Sequence, residues 1–143
     1  MFSTIKMKKL FLIFTFIAFA LSSCSTDDGQ EDTVYELLPI QEVILPSTFK
    51  INQDNVIQVK FSRPTTCHAF NDFYYEKQGM TRIVAVESIV FMNNGCEPLI
   101  ENVSKQNLKF RPEQVGEYTF KFWQGKDEQG TDIFLTYQIV VEL

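Results

Sequence analysis

The sequence predicts an all-β sandwich for most of the chain, and three observations lead to that prediction. Short segments of strand length recur, turn-forming residues separate them, and no segment after the first 33 residues shows a convincing helical period. The chain has 143 residues, which is room for one domain. We expect an antiparallel sandwich over residues 34–143, preceded by a signal peptide at 1–23 and a flexible tether at 24–33.

The N-terminus has the order of a secretion signal. Lys6, Lys8 and Lys9 precede the uncharged apolar run 10–21. That run is too short to span a bilayer, which takes about 20 residues, and it lacks the apolar stripe of a buried amphipathic helix. A signal peptide therefore fits better than a core helix. Met7 begins an equally good signal, so the sequence leaves the initiator open between Met1 and Met7.

The signal ends in the run Leu21-Ser22-Ser23-Cys24, which resembles the lipobox of bacterial lipoproteins. This resemblance covers the first 24 residues. It implies cleavage before Cys24, lipidation of its thiol and acylation of the new amino terminus, because stable anchoring takes more than one acyl chain. We therefore expect a lipid anchor in the bacterial envelope, at the outer membrane. No cofactor is implied.

The segment 25–33 is polar and acidic and predicts a solvated tether. Asp27 and Asp28 also resemble the acidic run that sends some Gram-negative lipoproteins to the cell surface, and the sequence leaves the periplasmic and surface faces open. Three of the 13 basic residues and none of the 18 acidic ones lie in the signal, so the net charge changes from −5 to −8 on cleavage. Such an acidic domain repels nucleic acid and anionic headgroups, which excludes both as partners.

The remaining cysteines, Cys67 and Cys96, form an even pair in an oxidising compartment and predict a disulfide. The alternative is a reactive or metal-bound thiol with His68 beside it. A zinc site needs three or four ligands at suitable spacing, and the chain has one histidine and no CxxC motif, so we expect no metal site.

Alternation and β-branched content predict seven strand segments. They are 34–45 with a break at Pro39, 56–61, 68–76, 82–92, 108–110, 117–123 and 133–143. The break at Pro39 is typical of an edge strand that changes partners. Turns are expected at 93–95 and 125–130. The predicted core is Val59, Phe61, Val84, Val86, Phe110, Tyr118, Phe120, Phe122, Phe134 and Ile139.

Pro112, Gly116, Tyr118 and Phe120 stand as P-x-x-x-G-x-Y-x-F. This pattern resembles the E–F corner of immunoglobulin-like domains, with Tyr118 as the corner tyrosine. The resemblance covers about a dozen residues. It implies an immunoglobulin-like sandwich in which the Tyr118 hydroxyl bonds back to the corner. Phe120 would replace the second core cysteine, so a Cys67–Cys96 bridge would differ from the usual disulfide between the two sheets.

No nucleophile–base spacing in the sequence points to catalysis, and any triad would depend on His68 alone, so we expect no enzyme. The aromatic residues outnumber what a small core needs. Exposed ones could stack on a glycan or a protein ligand, although the alternative is that most are core. The candidate binding residues are Phe70, Phe73, Tyr74, Tyr75 and Trp123.

The run 63–70, R-P-T-T-C-H-A-F, resembles one loop of chagasin-like cysteine-protease inhibitors, which are also immunoglobulin-like domains. Arg63, Cys67 and Phe70 depart from that family's loop, and its other two loops are not evident. The sequence therefore favours an envelope-anchored binding or structural module of unknown ligand, with protease inhibition as the alternative. It does not indicate an oligomeric state.

Overall fold

A computed structural model of the chain describes residues 33–92 and 95–143. The signal peptide, Cys24, the acidic pair Asp27 and Asp28, and the turn residues Asn93 and Asn94 lie outside the described residues. The described strands are β1 (Thr33–Leu38), β2 (Ile40–Ile44), β3 (Phe49–Lys50), β4 (Asn55–Phe61), β5 (His68–Gln78), β6 (Thr81–Phe91), β7 (Ser104–Phe110), β8 (Gly116–Lys126) and β9 (Asp132–Glu142). This part of the chain contains no helix able to cross a membrane.

The strands form two sheets that enclose one core, so the predicted all-β, immunoglobulin-like sandwich is confirmed. The small sheet has the order β2-β4-β7. In the large sheet β5 pairs with one edge of β6, and β1 and β8 share its other edge, followed by β9 and β3. Most pairs are antiparallel, while β6 with β8 and β3 with β9 are parallel.

Pro39 separates β1 from β2, and the two strands belong to different sheets, as the sequence predicts. Leu38 pairs with Val86 of β6, whereas Ile40 pairs with Phe61 of β4. Proline lacks the N–H that would continue one ladder, which makes this a natural place to change sheets. One expected strand is therefore two, and the two-residue β3 was not predicted because it is too short to show alternation.

The core lies between the sheets and contains nine of the ten residues predicted for it. Phe134 is the exception: the prediction was wrong because it ignored strand parity. Ile139 and Val141 face the core, so the strand alternation turns Leu135 and Tyr137 inward and Phe134 outward. Phe134 pairs with Trp123 on the outer surface of the large sheet.

Two local features fix the sandwich at its opposite ends. The Tyr118 hydroxyl donates a hydrogen bond to the Gln114 carbonyl at 3.2 Å, which confirms the predicted tyrosine corner. At the other end Cys67 and Cys96 are joined by a disulfide, as expected, with their Cα atoms 5.3 Å apart.

Candidate ligand-binding site

Three of the five candidate aromatic residues face the inside of the sandwich. The Phe70 ring lies 6.0 Å from Phe61 and 5.1 Å from Phe73, measured between ring centroids. Phe73 and Tyr75 follow on the same side of β5, where Tyr75 pairs with Val84. These three side chains are half-buried, so they contribute to packing while their edges line the space beside β5.

Tyr74 and Trp123 lie on the outer surface of the large sheet instead. Tyr74 pairs with Ala85, and Trp123 pairs with Phe134. The parallel register of Val84 with Phe122 places Ala85 beside Trp123. The tyrosine and tryptophan are thus separated by one strand with a small residue between them, and neither belongs to the inward-facing group.

A cleft of about 870 Å³ opens between β5, an edge strand of the large sheet, and β7, an edge strand of the small sheet. Its apolar wall includes Phe73, Tyr75, Phe110 and Tyr118. The β5–β6 turn and the segment 111–114 also line it. Its volume falls within the usual range for small-molecule sites, and its aromatic lining is also typical of them.

The charge around this cleft is opposite in sign to that of the whole chain. Four cations line it, against two carboxylates, while the chain as a whole carries −5. The cations are Lys77, Arg82, Lys109 and Arg111, and the carboxylates are Asp72 and Glu113. Asp54 lies 3.9 Å from Lys109 and 3.8 Å from Arg111, but all three side chains are well exposed and such pairs are weak.

Arg82 is the most deeply placed of these cations, with 8% of its surface exposed. One guanidinium nitrogen, Nη1, donates to the carbonyls of Gly79 at 2.6 Å and Thr81 at 2.9 Å. The guanidinium also lies 4.9 Å from the centre of the Tyr118 ring. Its Nε atom is buried without a hydrogen-bond partner, and no carboxylate of the described residues forms an ion pair with it.

The hydroxyl of Tyr75 stands near this guanidinium. Burial raises the pKa of Tyr75, and the positive charge of Arg82 partly opposes that rise. Tyr75 therefore keeps its proton at neutral pH and can donate a hydrogen bond. None of the cations was singled out in the sequence, although Arg82 shares its strand face with Val84 and Val86, and an arginine on such an apolar face is a usable signal.

Most residues of the loop 63–70, which resembles a loop of protease inhibitors, contribute to the fold. Cys67 is in the disulfide, and Phe70 packs on Phe61. Backbone hydrogen bonds join Thr66 to Glu97 at 2.9 Å and Leu99 to Pro64 at 2.9 Å, so the segments 64–67 and 96–99 are held side by side. Pro64 and Thr66 remain exposed at this end of the sandwich.

His68 links two parts of the same end. Its Nε2 contacts a Glu36 carboxylate oxygen from β1, and its Nδ1 lies 2.8 Å from the Thr65 hydroxyl. A hydroxyl, an imidazole and a carboxylate in series is also the arrangement of an activated nucleophile. Here the Thr65 hydroxyl accepts the Cys67 N–H at 3.2 Å, and the cleft described above does not reach these residues.

Among residues 33–92 and 95–143 no group of three or more His, Cys, Asp or Glu side chains could hold a metal ion. No protein-family model matches the chain, and no curated protein or solved structure is significantly similar to it. The geometry of the cleft is therefore the main guide to function.

Proposed function

We propose that this protein is a lipid-anchored envelope protein whose sandwich is a non-catalytic binding module, and that the cleft between β5 and β7 is its ligand site. The observation that carries the proposal is the cleft itself, with its volume of about 870 Å³, its aromatic wall and its local excess of cations. The lipobox-like run ending at Cys24 supports the anchor, and the polar segment after it supports a tether.

The position of the cleft within the domain supports this role. β1 begins at Thr33, which pairs with Phe91 at the end of β6, while Arg82 lies near the beginning of β6. That separation is roughly 30 Å along the strand. Thr33, the first residue of β1, therefore lies far from the cleft.

A capture experiment tests the proposal. Asn107→Trp places a large ring at the mouth of the cleft from an exposed position on β7, and Lys105→Trp places the same ring on the same strand outside the cleft. We expect the full chain to retain a component of solubilised envelope, Asn107→Trp to lose it, and Lys105→Trp to keep it. A third variant, Tyr74→Ala with Trp123→Ala, tests the outer surface. Equal retention by all variants would rule out the cleft.

Cysteine-protease inhibition stays the second candidate, because the loop at 64–67 is held rigid and a preorganised loop binds at lower entropic cost. This loop lies at the end of the domain that contains Thr33, however, and not beside the cleft. An assay against papain-like proteases separates the two proposals: inhibition at micromolar concentration that Thr66→Arg abolishes would favour the inhibitor.

The proposal assigns a structural role to the array of Thr65, His68 and Glu36, which joins β1 to the β4–β5 connection. A hydrolase would depend on the Thr65 hydroxyl. We expect ester hydrolysis by the full chain to be at background level and unchanged in Thr65→Val. A rate of hydrolysis that depends on Thr65 would contradict the non-catalytic binding module and would favour an enzyme.

A further inference from the structure

The strongest unused feature of the molecule is the buried charge of Arg82. An arginine is always protonated in proteins, and a buried cation is costly unless it is paired. Arg82 has backbone carbonyls and an aromatic ring around it but no carboxylate partner among the described residues. Its positive charge therefore has no opposite charge within ion-pair distance among the described residues, and it lies beside the cleft that it lines.

We propose that the cleft binds a small organic carboxylate with an apolar body, and that Arg82 holds the carboxylate; this rests on the cleft being the ligand site. A guanidinium matches a planar carboxylate, and such charge-assisted hydrogen bonds are about twice as strong as neutral ones. The Tyr75 hydroxyl is a second donor beside it. The rings of Phe73 and Phe110 supply the apolar surface for the rest of the ligand.

The rim charges act in the same direction. Lys77, Lys109 and Arg111 outnumber Asp72 and Glu113 around the mouth of the cleft. The remainder of the chain is acidic, so an organic anion is repelled elsewhere and attracted here. Rim cations raise the rate of association, whereas Arg82, being buried, sets how long the anion stays.

The test uses the full chain in detergent and two probes of equal shape, para-fluorophenylacetate and its neutral amide, observed by fluorine NMR. We expect the acid to bind about tenfold more tightly than the amide, as for one charge-assisted hydrogen bond. Arg82→Gln should remove this preference. Lys109→Gln with Arg111→Gln should weaken the acid several-fold, and Lys105→Gln, on the same strand outside the cleft, should change nothing.

The outcomes separate this inference from the proposed function. Equal affinity for acid and amide, abolished in both cases by Asn107→Trp, would support the cleft as a binding site but contradict its preference for a carboxylate. Absence of binding by either probe would overturn the inference, and the envelope capture decides the proposed function separately. If Arg82→Gln does not fold, the acid–amide comparison and the Lys109 and Arg111 variant still decide the matter.

Discussion

At the scale of single residues, the Tyr118 hydroxyl is the clearest test of the corner. Tyr118 is buried, its ring packs against Phe110 at 5.1 Å, and its hydroxyl bonds to the exposed Gln114. Tyr118→Phe keeps the ring and removes the bond, so we expect the free energy of unfolding to fall by about 1 kcal/mol. Urea denaturation should show a lower midpoint with an unchanged slope.

The matched control is Tyr137→Phe. Its ring packs on Phe122 at 6.0 Å, and its hydroxyl makes no hydrogen bond with the described residues. That substitution should leave the midpoint within experimental error. A loss of stability in Tyr137→Phe equal to that in Tyr118→Phe would mean that the corner bond has no special effect.

A second residue-scale prediction concerns acid titration near the single tryptophan. Asp132 accepts hydrogen bonds from Lys126 at 2.8 Å and from the Trp123 indole at 2.9 Å. Chiefly the bond from Lys126, and then that from Trp123, hold the pKa of Asp132 below its ordinary value of 3.8. A lowered folded-state pKa means that this carboxylate favours folding above its unfolded pKa, and that the contribution is lost as the pH falls through the folded value.

Trp123 fluorescence should therefore change with a midpoint below pH 3.8. Lys126→Gln should move the midpoint upward, because it removes the larger cause of the shift. Asp132→Asn should abolish the transition, and far-ultraviolet circular dichroism checks that the fold persists over the range. The assignment is wrong if the transition survives in Asp132→Asn.

At the scale of elements, the inward face of a strand could be predicted from the sequence only where the strand kept its alternation. The inward-facing Val84 and Val86 of β6 could be predicted because they keep the two-residue period of a regular strand. In β5 a bulge at Asn71, between Phe70 and Asp72, adds one residue, so Phe70 and Phe73 share a face although their spacing is odd. Alternation alone would have separated them, because a bulge arises from pairing with β6 and leaves no local pattern.

For two adjacent aromatic residues of β5, by contrast, alternation alone predicts the faces correctly. Tyr74 and Tyr75 are neighbours in a strand, and strand geometry alone places them on opposite faces. Naming Tyr74 and Tyr75 together among the candidate binding residues did not take this alternation into account. The cleft itself could not be predicted, because β5 and β7 come together only through the packing of the two sheets.

The prediction at the scale of elements concerns the stability that the disulfide adds to the paired segments 64–67 and 96–99. Closing a loop of 29 residues stabilises the domain by about 3.6 kcal/mol in the chain-entropy model. Cys67→Ala with Cys96→Ala should lower the free energy of unfolding by about that amount, yet the domain should still fold. The backbone hydrogen bonds of Thr66 with Glu97 and of Leu99 with Pro64 remain.

Urea denaturation with and without reductant checks this estimate. Reductant should destabilise the wild type as much as the double substitution does, and should not affect the double variant further. A wild type whose unfolding midpoint is insensitive to complete reduction would show that the loop is held by its hydrogen bonds and packing instead.

At the scale of the whole molecule, the chain consists of a proposed lipoprotein signal and tether, residues 1–33, and a β-sandwich domain. The strand pattern predicted the sandwich because its alternation and turn signals are local. The proposed secretion and lipidation depend on the first 24 residues. Within the described domain, the cleft includes Arg82 near the beginning of β6, whereas Thr33 pairs with Phe91 at the end of the same strand.

The last prediction is that Cys24 carries the lipid. Lys6, Lys8 and Lys9, the apolar run 10–21 and the residues Leu21 to Cys24 are its basis. Expressed in a Gram-negative host with a clickable fatty acid, the wild type should incorporate label and stay in the membrane fraction after a high-salt wash. Two or more acyl chains give such retention, whereas one gives only marginal binding.

Cys24→Ala is the decisive variant, because it removes the thiol and leaves the signal charges and the apolar run intact. It should incorporate no label, even if the uncleaved signal keeps some of the protein at the membrane. Label is therefore a cleaner measurement than fractionation. Equal label on the two proteins would mean that another residue carries the lipid. No label on either protein would contradict the lipid anchor. In that second case the acidic segment after Cys24 would no longer be a tether, and the cleft would have to bind its ligand in a freely diffusing protein.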